Sequence, residues 1–397
     1  MPVEFSEDQR RKTLFELGAD ASAANEILER FSKDRWWPGG NLDVPDLPLD
    51  DEPHLEAWRA YAAGAQTDGA WIVLRDRLVQ LAFPIREGIS QEASYRETTL
   101  KGHLPPEGQK TLQLDQPDAL SLELHPTPGG TVPVVSTPSR PDFERLIRAL
   151  TARNEPIAIS PAMGACLVNG LNNWDRIRTL RSQWETNHQD DPIPGAWDTE
   201  FRRIIKHPEL YKDRLIILSQ GPYSGVRADD VGFSEEHWNQ LSFNIRMEHE
   251  CTHAFSLRVF SALRHDLLEE LIADWVALTK VFGIYRADLA RVFLGLEDFP
   301  DFRRGGRLEV YRGDPPLSDA AFSLMQKLAW QAIARLEEIS TGRPDLLATD
   351  KNLGQLILAL STLPTEAIAA PDGMETILSR LSDLVEGRLS SSKVTSL

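Results

Sequence analysis

The apolar positions of this chain fall into blocks whose spacing changes along its length. Over residues 6–31, Leu14, Leu17, Ile27 and Leu28 recur at helical spacing, with Gly18 as a break. A loop rich in Pro, Gly and Asp follows over 36–53. A long helical pattern then covers about 55–82, interrupted by Gly64 and Gly69. Beyond it the period shortens. Residues 120–124 alternate and read as a strand, with 131–135 as its hairpin partner across 126–130. A helix is predicted over about 141–152, a short buried strand over 156–160, and a helix over 164–184. The clearest apolar strand is 215–219. A long helix should begin near Ser234, with Leu241, Ile245, Cys251, Ala254, Phe255, Leu257 and Phe260 on its apolar side. Leu268, Leu271, Ile272, Trp275 and Leu278 describe a second helix. After Val281 the pattern stays helical over about 284–297, 316–340, 352–362 and 372–388, with loops at Gly305 and Gly306 and at Pro315 and Pro316.

The expected class is α+β, mostly helical. The expected division is a helical N-terminal region over 1–90, an α+β lobe over 91–262, a helical lobe over 263–390 and a disordered tail over 391–397.

Composition narrows the function. A chain of 397 residues with 41% hydrophobic positions can bury a sizeable core. A net charge of −17 opposes binding to nucleic-acid phosphates or anionic membranes and suits a neutral or basic substrate. Two cysteines, Cys166 and Cys251, give no disulfide framework and fit a reducing cytosol. The acidic start shows no apolar leader, and no apolar run reaches membrane-spanning length. These features lead to the expectation of a cytoplasmic protein.

The chemistry is carried by two segments. His249-Glu250-Cys251-Thr252-His253 reads H-E-x-x-H inside the long helix. Residues four apart lie one turn apart on one face, so both imidazoles can point at one metal ion. Glu250 stands beside them and can take a proton from water. On the next helix Glu270 and Asp274 are also four apart, which offers a third ligand and a carboxylate behind the ligands. Glu269 competes with Glu270 for the ligand role, but only Glu270 shares a face with Asp274. Two His and one Glu leave a position open for water, the arrangement of a catalytic rather than a structural zinc. One Zn2+ per chain is expected. The remaining histidines, His54, His103, His125, His188, His207, His237 and His265, show no second ligand spacing. No G-x-G-x-x-G, P-loop or serine nucleophile elbow is present.

The pair of motifs resembles the gluzincin group of zinc metallopeptidases, the thermolysin-like arrangement. The resemblance covers about 241–281. It implies His249, His253 and Glu270 as metal ligands, Glu250 as general base, and Asp274 as the carboxylate that holds a ligand histidine. It also implies a zincin-like core, with a small sheet before the active-site helix and a helical lobe after it. In such folds the sheet's edge strand can pair with an extended substrate, and strand 215–219 is the candidate neighbour of the cleft. A metzincin site would need Gly at 256 and His at 259, where this chain has Ser256 and Val259. Residues 161–166, 170–175 and 221–224 also look similar to a functionally uncharacterised group of bacterial proteins.

The leading expectation is hydrolysis of a peptide or amide bond in a peptide or protein substrate. Tyr223, His265 and Tyr285 are the candidates for stabilising the oxyanion. The competing expectation is a zinc-binding or partner-binding protein without turnover. Glu250 argues against it, because a purely structural site has no use for a base beside the metal. The sequence leaves the oligomeric state open.

Overall fold

A computed structural model describes residues 5–31, 45–188, 196–264 and 266–386. The chain forms two compact units. One comprises residues 1–50, 127–129 and 222–397, the other 51–126 and 130–221. The expected tail over 391–397 lies outside the described residues.

The first unit begins with α1 (Glu7–Glu16) and α2 (Ala21–Arg30), capped by the side chains of Ser6 and Asp20. The second unit opens with α3 (Leu55–Asp68) and α4 (Ala70–Arg77). Gly69, at φ +88°, separates them, whereas Gly64 stays inside α3. Next come α5 (Ala93–Lys101), strands β1 (Ser121–Thr127) and β2 (Gly130–Thr137), and α6 (Arg140–Thr151). Strand β3 (Ala165–Asn172), helices α7 (Trp174–Asn187) and α8 (Ala196–Ile204), and strand β4 (Lys212–Ser219) complete it.

The sheet order is β1-β2-β4-β3. Strand β4 runs parallel to β2, with Val134 opposite Ile216, and antiparallel to β3, with Cys166 opposite Ile217. A central strand is covered on both faces, which is why Leu215, Ile216, Ile217 and Leu218 form an unbroken apolar run. Strand 215–219, expected to neighbour the cleft, is thus a central strand and not the edge strand. Both of its backbone edges are used by neighbours, and no extended substrate can pair with it.

Two further expectations fail for local reasons. Residues 165–172 are strand, not helix. The helix starts only at Trp174, where Asn173 accepts the N–H groups of Asp175 and Arg176. Residues 156–160 are not a buried strand. Ile157 is exposed, and carbonyls of this segment accept from arginine side chains: Arg148 Nε to Ile157 O at 2.8 Å and Arg140 Nη2 to Ser160 O at 2.7 Å.

The first unit resumes with the long helix α9 (Glu235–Phe260). Ser234 caps it by accepting the His237 N–H, and Ser261 ends it at φ +61°. Helix α10 (Leu267–Phe282) follows, capped by Asp266 and closed by Gly283. It is apolar on nearly every side because it runs through the core. Around it lie α11 (Ala287–Leu294), α12 (Asp319–Gly342), α13 (Asp350–Ser361), α14 (Thr365–Ala369) and α15 (Gly373–Val385). Trp275 Nε1 donates to Ser340 Oγ at 2.8 Å, and Lys280 pairs with Glu248 at 2.7 Å. These contacts fix α10 against α12 and α9. The fold is α+β and mostly helical. Among the described residues no helix is long and apolar enough to cross a membrane.

Candidate metal centre

Helix α9 presents His249 and His253 one turn apart, both buried. Helix α10 packs its first turns against them. His249 Nε2 lies 3.0 Å from His253 Nε2, and Glu270 lies 3.3 Å from the first and 3.4 Å from the second. Ligand atoms of all three fall within 4.8 Å of one another.

The outer ring nitrogens are each held by a carboxylate. His249 Nδ1 lies 2.9 Å from Asp274 Oδ1. His253 Nδ1 lies 3.3 Å from Glu269 Oε1. A carboxylate acceptor at Nδ1 fixes the proton there, so in the neutral ring Nε2 carries the lone pair. Two lone pairs and a carboxylate then face one another with no donor between them. That arrangement is repulsive unless a proton or a metal cation sits among the three groups. Ligands about 2.0–2.1 Å from a tetrahedral zinc stand roughly 3.3–3.4 Å apart. The observed 3.0–3.4 Å spacings fit such an ion.

The electrostatics describe the same competition. Burial opposes the charged imidazolium, yet donation to the Asp274 and Glu270 carboxylates outweighs it and raises His249 above its ordinary value. For His253, Glu269 and Glu270 overcome burial, and its value lies well above ordinary. Burial disfavours the Glu270 carboxylate, but the two histidines hold it far below the usual carboxylate range. Asp274 is likewise buried and lowered, chiefly by the charge of Arg307. A cation at the centre competes with the protons that these histidines would otherwise hold.

Behind His249 lies a second layer. The Tyr223 hydroxyl donates to Asp274 Oδ1 at 2.7 Å and stands 2.8 Å from His249 Nδ1. Arg307 pairs with Asp274 Oδ2 and donates to the Tyr223 hydroxyl at 3.1 Å and to Ser224 Oγ at 3.2 Å. Tyr223 is itself fixed to α9, its N–H donating to Ser242 Oγ at 3.0 Å.

This geometry reassigns several residues. Tyr223, expected as a candidate oxyanion donor, is placed behind His249. Its hydroxyl is committed on the Nδ1 side of His249, away from the converging Nε2 atoms. Tyr285 is buried and its hydroxyl makes no hydrogen bond among the described residues; after burial, the charge of Asp274 raises its phenol above the ordinary value. His265 lies outside the described residues. Glu269 is not the rival ligand. It braces His253, and its other oxygen accepts the Arg264 N–H at 2.6 Å. Glu250 is half-buried beside the buried histidines, and its charge acts on His253.

Arg307 and Tyr311 were not visible from spacing. Both sit on a short turn, Arg307–Arg312. Burial raises the Tyr311 phenol above its ordinary value, and the neighbouring Glu270 and Asp274 carboxylates push the same way. The only sequence signal for this turn is the Gly305 and Gly306 pair before it.

No curated protein and no solved structure matches the chain. Residues 12–372 match a group described as "Family of unknown function (DUF7005)", a span that contains every residue of the cluster. The chain belongs to the DUF7005 family.

Proposed function

We propose that this chain is a zinc-dependent hydrolase of peptide or amide bonds, of the gluzincin kind, holding one Zn2+. The observation that carries the reading is the convergence of His249 Nε2, His253 Nε2 and the Glu270 carboxylate on one point, with both Nδ1 atoms held by carboxylates. Three protein ligands leave a coordination position open, as catalytic zinc requires.

Bound zinc supplies Lewis acidity, polarising a scissile carbonyl and making water more acidic. The rest falls to the chain's own groups. Glu250, one residue from His249, accepts the proton of the attacking water and passes it to the leaving amine. Asp274 and Glu269 keep the two imidazoles in one tautomer and one orientation. The net charge of −17 favours a neutral or basic peptide or protein as substrate and disfavours nucleic acid and anionic membranes as partners. A cytoplasmic location belongs to the same proposal. A chain with two cysteines in 397 residues suits a reducing compartment.

The test compares wild type with Glu250→Gln at matched zinc content, on peptides that the variant captures from a lysate. The amide keeps shape but cannot accept the water proton. Wild type should cut the captured peptides, and the variant should retain zinc while losing about 10²–10⁴-fold in rate. If neither protein cuts, the reading gives way to a zinc-binding or partner-binding protein without turnover. If both cut equally, the chemistry lies elsewhere in the chain.

A further inference from the structure

We infer that Arg307 is a positioning residue of the metal centre, delivered by a pinned loop and acting on His249 through Asp274. The inference rests on the metal reading above.

The loop before Arg307 is closed by two glycines. Gly295 has φ +80°, and a Cβ on Gly306 would stand 2.4 Å from Leu294 O and 2.6 Å from Gly295 Cα. Only glycine at 306 lets these backbones approach so closely. The Arg303 N–H donates to Gly295 O at 2.9 Å, and the Gly306 N–H to Arg303 O at 3.0 Å. Arg303 also pairs with Glu297 through its side chain. The closure therefore ends one residue before Arg307, and it sets where that side chain leaves the backbone.

Arg307 is largely enclosed, its side chain 18% exposed. Ordering so long a side chain has an entropic cost, which its contacts must offset. It meets Asp274 Oδ2, the Tyr223 hydroxyl and Ser224 Oγ, and its guanidinium lies 5.6 Å from the Tyr223 ring centre. Asp274 Oδ1 is occupied by Tyr223 and His249 Nδ1. Arg307 thus takes the carboxylate's second oxygen and holds the plane in which Oδ1 faces the imidazole. Without it, a carboxylate only 2% exposed would keep one oxygen unpartnered. His249 would then lose its fixed orientation toward Glu270. Lys can supply the charge at this place but not the fork that joins Asp274 to Tyr223 and Ser224.

The test is a double-mutant cycle on zinc affinity, measured by competition with a chromophoric chelator, using Arg307→Met, Asp274→Asn and the double variant. Circular dichroism and thermal unfolding establish that each is folded. Arg307→Met should bind zinc about 10–100-fold more weakly than wild type. Arg307→Lys should recover part of that loss, and Val310→Ala, on the same turn but exposed, should show none. In the Asp274→Asn background Arg307→Met should have almost no further effect, because the pathway to His249 is already cut. Zinc binding by Arg307→Met equal to wild type would overturn the inference and leave the metal reading standing. Losses that simply add in the double variant would also overturn it, since Arg307 would then act through the fold at large. If Arg307→Met does not fold, Arg307→Lys and its combination with Asp274→Asn decide by the same additivity. A wild type that takes up no zinc removes the metal reading, and this inference with it.

Discussion

Each unit of this protein buries a cluster of charged and polar side chains, and the two clusters are built in opposite ways. In the second unit Asp213 accepts Trp58 Nε1 at 2.8 Å, Asn173 Nδ2 at 2.6 Å and Arg176 Nη1 at 2.5 Å. Arg176 also reaches Glu209 O, and Asn173 Oδ1 caps α7. Every oxygen of Asp213 meets a donor. The set closes on itself and asks for nothing more, which is what a structural network requires. In the first unit the donors point outward and the acceptors point inward. Asp274 and Glu269 take the ring N–H groups on the outside, leaving Nε2, Nε2 and a carboxylate facing one another. Proton affinities differ accordingly. Burial holds Asp213 above its ordinary value despite Arg176. Burial also disfavours the Glu270 carboxylate, whose side chain is 16% exposed, yet the two imidazoles drive it far below its ordinary value. Burial alone does not distinguish structure from site. Whether the inner atoms are already matched does.

The comparison can be broken most sharply at Glu270. Glu270→Ala should reduce zinc affinity well beyond the roughly 10–100-fold expected for an outer partner, because it removes a ligand. Zinc titration checks it, and binding within tenfold of wild type would show that the inward convergence is not a metal site. The counterpart is Asp213→Ala. It leaves Arg176 buried without its charge partner and should cost about 3–5 kcal/mol of stability in denaturant unfolding. Its zinc affinity should not change. A loss of zinc without a loss of stability there would erase the contrast between the two clusters.

Glu269→Ala should fall between these, lowering zinc affinity by about 10–100-fold while leaving the ligands in place. The same titration, run beside Glu270→Ala, ranks the two adjacent carboxylates. The reverse order would exchange their roles.

The smallest expected effect is a pH dependence. His249 and His253 have raised values, so without metal their contribution to stability is complete below about pH 6.5 and is lost as pH rises through those values. Glu270 and Asp274 have lowered values, so their contribution is present above about pH 4 and is lost only on deeper acidification. Zinc needs both histidines neutral. The rise in Tm produced by zinc should therefore be larger at pH 8 than at pH 5.5. A rise independent of pH would mean that the histidines do not hold the ion.

Much of this was legible because helices translate sequence spacing into geometry. One-turn spacing placed His249 with His253 and Glu270 with Asp274 on shared faces. Ser234 marked the start of α9, and an unbroken apolar run marked β4 as strand. The same run cannot tell a centre from an edge, since that depends on which strands arrive at its sides. Spacing alone also could not give Glu269 its place. It excluded Glu269 from the face of Asp274 but did not show that the side chain meets His253 Nδ1. Strand β3 was mistaken for helix because its apolar residues merge into those of α7, and only the Asn173 cap separates them. Arg307 and Tyr311 were invisible for a different reason. They reach the cluster through a loop whose closure depends on one backbone contact, between Gly295 and Gly306, and no periodicity encodes that. Tyr223 was noticed in sequence, but as a hydroxyl for the reaction. Its three partners make it a brace instead.

The central claim is that the inward-facing acceptors hold one metal ion, and elemental analysis tests it most directly. The protein should be purified without a metal-binding tag and measured by mass spectrometry for metals, then titrated with zinc against a chelator of known affinity. One zinc per chain is expected, lost in His253→Ala and kept in Asp213→Ala. A protein that carries no zinc and takes up none on titration would contradict it.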